Sequence, residues 1–373
     1  MKKLLYISKL PIGTELHRGL GVGSFMQYQA VKEVLGSNCI LYSIDDYENY
    51  QFRSKEVLVY HRYEGMTRKR EKELINIIKK NEIDTVYIDN SFWGFLVEKI
   101  KKYCHCRVII FCQDIEYSRV SSIIDSEKKE GRYLKVLWHQ LWKWTAGLNE
   151  KKAVSFADDI LTLNKRDSKC LENLYGRKST MEIPVCLKTD IPDQDKFRNP
   201  YKNEENVNLL LVGTMDYQPN VEAVKFMVEQ VMPFLKHAVL NIVGKNSESL
   251  RTQYESQNVE IIGEVELLEP YYLYADAVVI PLFSGGGMKI KTAEALKYGK
   301  YVLGTKEAFE GYEVDYTKAG AICGSSVEFI EAVKQLDKKR KFNEYSRNYF
   351  LQNHSFESLK NRYADLFGIG RES

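Results

Sequence analysis

"DAVVIPLFSGGGMKIKTAEALKYGKYVLGT", residues 276–305, is the stretch whose reading decides the fold. The apolar run from Ala275 to Leu282 reads as a buried strand. Gly285, Gly286 and Gly287 follow it, and Met288 to Tyr298 reads as a helix closed by Gly299, the residue best suited to the left-handed turn after a helix. "YVLGT" (301–305) is then a second strand. Strand, glycine loop, helix and strand make a βαβ unit of a parallel sheet. In such sheets ligands bind outside the carboxyl ends of the strands, and a helix N-terminus favours phosphate because its first N–H groups have no partner within the helix. Lys289 and Lys291 stand where the helix begins, a place that opposes the helix dipole unless an anion is bound there. Glu294 follows on the second turn, where a carboxylate can accept two hydrogen bonds from a vicinal diol such as a ribose. A plain surface loop that needs glycine for its backbone, with two solvated lysines and a solvated glutamate, is the other reading of these residues.

The same alternation extends outward in both directions. "NLLLVG" (208–213), "AVLNIVG" (238–244) and "VEIIG" (259–263) read as strands, separated by helical patterns over 220–235, 247–254 and 267–274. Upstream, strands are expected at 4–8, 39–44, 56–60, 84–89, 107–112 and 159–163, with helices over 24–35, 68–80 and 92–102. Several of these strands are almost wholly apolar, which fits parallel strands covered on both faces. "TDIPDQDKFRNPYKNEEN" (189–206) has two prolines, many charges and no apolar period, and reads as a break. The expectation is α/β: two tandem Rossmann-like domains with a cleft between them. They divide as 1–190, a linker at 191–206, a second domain over 207–345 and a helical tail over 346–373 that could cross back to the first domain.

Composition narrows the function classes. The chain has 373 residues, 44% hydrophobic, enough for about two domains of the usual size. Its net charge of +3 is uneven: residues 1–190 carry 32 Lys and Arg against 25 Asp and Glu, which leaves 22 against 26 in the remainder. A surplus this small is no nucleic-acid-binding patch. No run of about 18 apolar residues occurs, and "MKKLLYISKLPIG" is too short an apolar start for a signal peptide, so a cytoplasmic protein is expected. Seven scattered cysteines suit a reducing compartment. The cluster Cys104, Cys106 and Cys112 lacks a second chelating pair and reads as core rather than as a zinc site. Asp45–Asp46 and Asp158–Asp159 read as strand boundaries, so no metal is expected.

Three further features lie in the first half. "RGLGVGSF" (18–25) offers Arg18, Gly21 and Gly23 between the first strand and the first helix, as a ligand-touching loop or a plain flexible one. It lacks the dinucleotide-binding spacing. "CQDIEYSR" (112–119) places Gln113, Asp114 and Glu116 at a strand's carboxyl end. "LWHQLWKW" (137–144) sets Trp138 and Trp142 beside Lys135 and Lys143, either as the basic face of a helix on an anionic membrane or as core aromatics.

The combination of 208–236, 259–305 and "EGY" (310–312) resembles the donor-binding domain of GT-B glycosyltransferases of the retaining group 1, family four type. The first half is similar more diffusely, through the Gly21 and Gly23 loop, "QDIE" (113–116) and "EKKAVSFADDILTLNKRD" (150–167). The resemblance implies that Gly286, Gly287, Lys289 and Lys291 hold the diphosphate of a sugar nucleotide, that Glu294 holds its ribose, and that Met288 and Gly213 also belong to the donor-binding set. Gly286 stands where the family's paired-glutamate pattern has its earlier Glu, and Gln113 stands where relatives carry a His near the reacting centre. The catalytic candidates are therefore Lys289, Glu294 and Gln113, with no general base named. The implied activity is sugar transfer from a nucleotide-diphosphate sugar to a glycan or lipid-linked acceptor in polysaccharide or glycoconjugate synthesis, without a metal, in the cytoplasm or on the inner face of the membrane. A sugar-nucleotide epimerase of the same fold and a non-catalytic nucleotide-sugar-binding subunit are the alternatives.

Overall fold

The computed structural model describes residues 3–9, 20–44, 60–61, 65–129, 131–202, 205–285, 287–336 and 342–370. Arg18, Gly286, the Asp45–Asp46 pair and nearly all of the strand expected at 56–60 lie outside them. The chain forms two compact units, one of residues 1–184 with 359–373 and one of residues 185–358.

The first unit is built on a parallel sheet of β1 (Leu4–Ser8), β2 (Cys39–Ser43), β3 (Thr85–Ile88), β4 (Arg107–Cys112), β5 (Asp159–Thr162) and β6 (Met181–Glu182). Its strand order is β2-β1-β3-β4-β5-β6. The chain therefore leaves β1 toward one edge and returns to lay β3 on its other side. The switch point falls between β1 and β3, where Ser8 and Asp89 end up side by side. Helices cover the sheet because their apolar positions recur on one face: Leu74 and Ile78 of the Arg68–Lys80 helix are buried in the core with Leu96 and Ile100 of the Gly94–Tyr103 helix. The first of these starts where Thr67 accepts a hydrogen bond from the Arg70 amide at 3.2 Å.

In the second unit β7 (Val207–Val212), β8 (Ala238–Val243), β9 (Val259–Gly263), β10 (Ala277–Ile280), β11 (Tyr301–Gly304) and β12 (Gly320–Ile322) pair in parallel. The order β12-β11-β10-β7-β8-β9 is that of a doubly wound Rossmann sheet. Its switch point lies between β7 and β10. The loops leaving these two strands are the one at Gly213 and the glycine loop after Leu282, so the topology brings together two segments about 70 residues apart in sequence. The expected helix over 220–235 is interrupted, running as Gln218–Phe226, a π turn at Met227–Val231 and a 3-10 turn at Met232–Phe234. Pro233 explains the end, since it has no N–H to continue the ladder.

The tail differs from the single polar helix expected over 341–367. It breaks at His354 and Ser355 into Glu344–Asn353 and Phe356–Phe367. His354 Nδ1 lies 2.8 Å from the Val185 carbonyl, and the Ser355 hydroxyl accepts from the Ser358 amide at 3.0 Å, which caps the second helix. The first helix packs on Ile290–Lys297 within the second unit. Residues beyond 358 belong to the first unit, as the crossing tail requires: the Tyr363 hydroxyl pairs with that of Tyr87 at 2.7 Å and donates to Gln27.

Candidate functional site

The glycine loop of the second unit ends in the helix Ile290–Lys297, whose first turn has no acidic residue and whose N-cap, Lys289, makes no side-chain cap hydrogen bond. The helix start thus has no side-chain cap, although the Thr292 amide donates to the Lys289 carbonyl at 3.0 Å, and a helix start of this kind suits an anion. Gly287 holds φ at +60°, a conformation that side chains resist, and Met288 is buried beneath the loop. At the far end Gly299, with φ +59°, donates to Leu296 and lets the Lys300 amide reach Ala295, which closes the helix as its sequence suggests.

The two lysines have different surroundings. Lys289 is buried; its Nζ pairs with Glu307 Oε1 at 2.7 Å and donates to the Gly287 carbonyl at 3.0 Å. Its own carbonyl accepts from the Tyr312 hydroxyl at 2.7 Å, and Thr292 donates to Ala308 at 2.7 Å, so the segment 305–312 braces the helix start. Lys291 is only partly buried and donates to Asn220 Oδ1 at 2.9 Å. Burial pushes its amine down to about 8, against the charge of Glu294 and with that of Lys289.

Glu294 stands one turn after Lys291, also partly exposed. It accepts a hydrogen bond from Tyr272 at 2.8 Å, and Tyr272 is fixed by stacking on Tyr298 with ring centroids 5.1 Å apart and planes within 6°. Burial pushes the Glu294 carboxyl up, opposed by the Tyr272 hydrogen bond and then by Lys291 and Lys297. Gly213, at the end of β7, is held by Val243 at 3.0 Å. A side chain there would meet Asn220, whose Nδ2 lies 2.7 Å from the Cβ position.

In the first unit a second polar group gathers at the switch point. Asp89 is buried and accepts from the Ser8 hydroxyl at 3.0 Å and the Lys9 amide at 3.3 Å. Burial pushes its carboxyl up to about 6 in spite of these bonds. Gln113 Nε2 donates to the Ser24 hydroxyl at 3.0 Å and to the Asp89 carbonyl at 3.1 Å. Gln113 is therefore tied to the start of the Leu20–Leu35 helix. Gly21 and Gly23 lie inside that helix, not in the loop expected of them. The sequence reading took two glycines as a sign of loop, whereas a glycine in a helix's first turns costs only about 1 kcal/mol each.

Comparison with known proteins bears on this arrangement. Residues 206–338 match the family described as "Glycosyl transferases group 1", and these residues contain the whole of the Lys291 and Glu294 site. Over those residues, about a third of the chain, it is similar to the group 1 glycosyltransferases. Among solved structures, sucrose-phosphate synthase from Thermosynechococcus elongatus is similar with a TM-score of 0.74 at 14% identity, covering 98% of each chain. HepE from Anabaena in complex with UDP gives 0.67 at 11% identity, over 98% of this chain and 99% of that one. WaaG, a glycosyltransferase involved in lipopolysaccharide biosynthesis, gives 0.64 at 17% identity, over 98% and 100%. At these identities the likeness is one of fold, and that fold is GT-B. No curated protein sequence matches the chain.

Three residues of the site had no sequence signal. They are Asn220 and Tyr272, which fall within the helical patterns expected over 220–235 and 267–274, and Glu307, and no motif marks any of them. Each reaches its partner across more than fifteen residues of sequence, and periodicity cannot report such pairs. Cys104, Cys106 and Cys112 are buried free thiols, all pushed up by burial, Cys106 to about 12, in keeping with core. Trp142 packs with Val120, Ile124 and Ala146, but Trp138 and Trp144 are exposed. No helix among the described residues is long and apolar enough to cross a membrane.

Proposed function

We propose that this glycosyltransferase takes a sugar from a nucleoside-diphosphate donor and places it, with retained configuration, on a glycan or lipid-linked acceptor. The observation that carries the reading is the pairing of Lys291 and Glu294 on adjacent turns, partly exposed, at an uncapped helix start on the Rossmann switch point. Lys291 and the backbone amides near Gly287 and Met288 would neutralise the departing diphosphate, and Glu294 would orient the ribose. Lys289, bound to Glu307, would hold the loop in shape, so of the two lysines Lys291 is the one placed on the diphosphate. The acceptor oxygen bonds to the anomeric carbon as the bond to phosphate breaks, and its proton passes to the departing phosphate oxygen. With lysine and backbone N–H groups in this role, no metal ion is needed. Gln113 would position the start of the first helix rather than act as a base.

UDP and UDP-glucose, present in the solved HepE complexes, are the first ligands to try. The test is a thermal-shift panel of UDP, GDP, dTDP and ADP with their sugars. A ligand at 100 times its dissociation constant, bound only to the folded state, adds about 2.7 kcal/mol, a shift of several degrees in the donor unit's transition. A panel that leaves every transition unmoved at millimolar concentration would overturn the reading. The epimerase and the inactive-subunit readings draw no support from the family match.

The acceptor side carries one finer proposal, contact with a membrane surface. The helix Tyr133–Phe156 exposes Tyr133, Leu134, Leu137 and Trp138 along its first turns, with Arg132 and Lys135 beside them. Exposed apolar side chains flanked by cations suit an anionic lipid surface. Co-sedimentation with phosphatidylglycerol vesicles should fall severalfold in Leu134→Glu with Leu137→Glu, and unchanged sedimentation would refute the contact.

A further inference from the structure

Asn220 occupies a place that no motif reading marks. It lies in the first turn of the Gln218–Phe226 helix and is 5% exposed. Its Nδ2 donates to the Thr214 carbonyl at 2.8 Å, and its Oδ1 accepts from Lys291 at 2.9 Å. The absent side chain of Gly213 makes the room it fills. One amide thus spans the switch point: its donor end fixes the loop after β7, and its acceptor end fixes the cation on the helix after β10. The amide does this through two separate atoms, whereas a threonine hydroxyl of similar size would have to donate and accept through one oxygen. A leucine would do neither, and an aspartate could accept from Lys291 but not donate to Thr214. Burying a lone polar group costs about 1–3 kcal/mol, so both contacts must be kept together.

We infer that Asn220 is a positioning residue for the donor, holding Lys291 against the β7 loop so that the amine and the Gly213–Thr214 backbone face one diphosphate. The inference rests on the proposal that Lys291 meets the diphosphate. It predicts that the chemistry of residue 220 is read out in the charge of Lys291. Glu294 and Lys289 are the charged groups that act on Lys291 from its own helix, and residue 220 faces it from the Gln218–Phe226 helix. Replacing the neutral amide by a carboxylate at 2.9 Å adds an opposite charge, which favours the protonated amine by about 1–3 pH units.

The experiment has two arms. In the ligand-free protein with methylated lysines, carbon-13 NMR follows the titration of Lys291, recognised by the loss of its signal in Lys291→Arg. Asn220→Asp should move the midpoint up by about one unit or more, and Asn220→Ser, which shortens the acceptor, should move it down. An unmoved midpoint in folded Asn220→Asp, with circular dichroism unchanged, overturns the inference. Should the aspartate variant fail to fold, an unmoved midpoint in Asn220→Ser does the same. In the second arm, calorimetry measures UDP affinity against pH in the wild type, Asn220→Ser, Lys291→Met and the double variant. Asn220→Ser should weaken binding about tenfold, and the double variant should lose no more than Lys291→Met alone, as for two residues acting through one contact. Fully additive losses in this cycle would overturn the inference. If the midpoints move as expected while Lys291→Met leaves UDP affinity unchanged, Asn220 still positions the amine, and it is the placing of the diphosphate on Lys291 that fails.

Discussion

Replacing Glu294 by alanine tests the proposed ribose contact, and the structure suggests both the expected size and the control. The carboxylate accepts from Tyr272 at 2.8 Å through one oxygen and has further lone pairs with which a diol would be bound on the proposed reading. Hydrogen bonds to a charged group contribute roughly 1.5–3 kcal/mol, so kcat/KM for the natural donor should fall about 10- to 150-fold. Part of any loss could come from Tyr272, 1% exposed, whose hydroxyl would be orphaned at a cost of about 1–3 kcal/mol. Glu294→Gln separates the two effects because it leaves Tyr272 an acceptor while removing the charge. The decisive comparison uses a donor whose ribose lacks its 2′ and 3′ hydroxyls. That donor has already lost the contact, so Glu294→Ala should cost it little more. Equal losses with both donors would mean that Glu294 does not hold the ribose.

The other predictions concern the same site. Lys291, held down at about 8, is protonated at neutral pH, and a diphosphate favours the protonated form; UDP affinity should therefore be level from pH 7 to about 8 and then fall by up to tenfold per unit, a break that calorimetry should lose in Lys291→Met. Excess EDTA should leave turnover within about twofold if, as proposed, lysine and backbone N–H groups do what a cation does elsewhere; loss of most activity, restored by Mg²⁺ or Mn²⁺, would contradict this. Gly213→Ala places a methyl 2.7 Å from Asn220 Nδ2 and should destabilise the second unit by about 1–3 kcal/mol in urea unfolding, besides weakening UDP binding.

The sequence was most informative where local chemistry decides the structure. The buried strands at 107–112 and 259–263 stand where their apolar runs place them, and the helix over 68–80 begins and ends at its Thr67 cap and closing lysines. The short strands Met181–Glu182 and Gly320–Ile322 were missed, because two or three residues at a sheet edge carry no period of their own. In the site, Lys289 drew attention as the first cation after the glycines, yet its amine turns to Glu307, a partner 18 positions away. Lys291 owes its place to Asn220, 71 positions upstream, and Glu294 its orientation to Tyr272, 22 positions upstream. Strand order made these meetings, and strand order is a property of the whole sheet.

Sugar transfer itself is tested most directly by phosphorus-31 NMR of a donor that the panel shows to bind, incubated with the protein and then with candidate lipid-linked acceptors. The wild type should release the nucleoside diphosphate, slowly by hydrolysis alone and faster with an acceptor, and Lys291→Met should slow the release at saturating donor, since charge builds on the diphosphate as the bond breaks. A donor that binds yet stays intact with every acceptor would mark an inactive binding subunit. Conversion of its sugar into an epimer without an acceptor would mark an epimerase, and either result would contradict a glycosyltransferase built on Lys291 and Glu294.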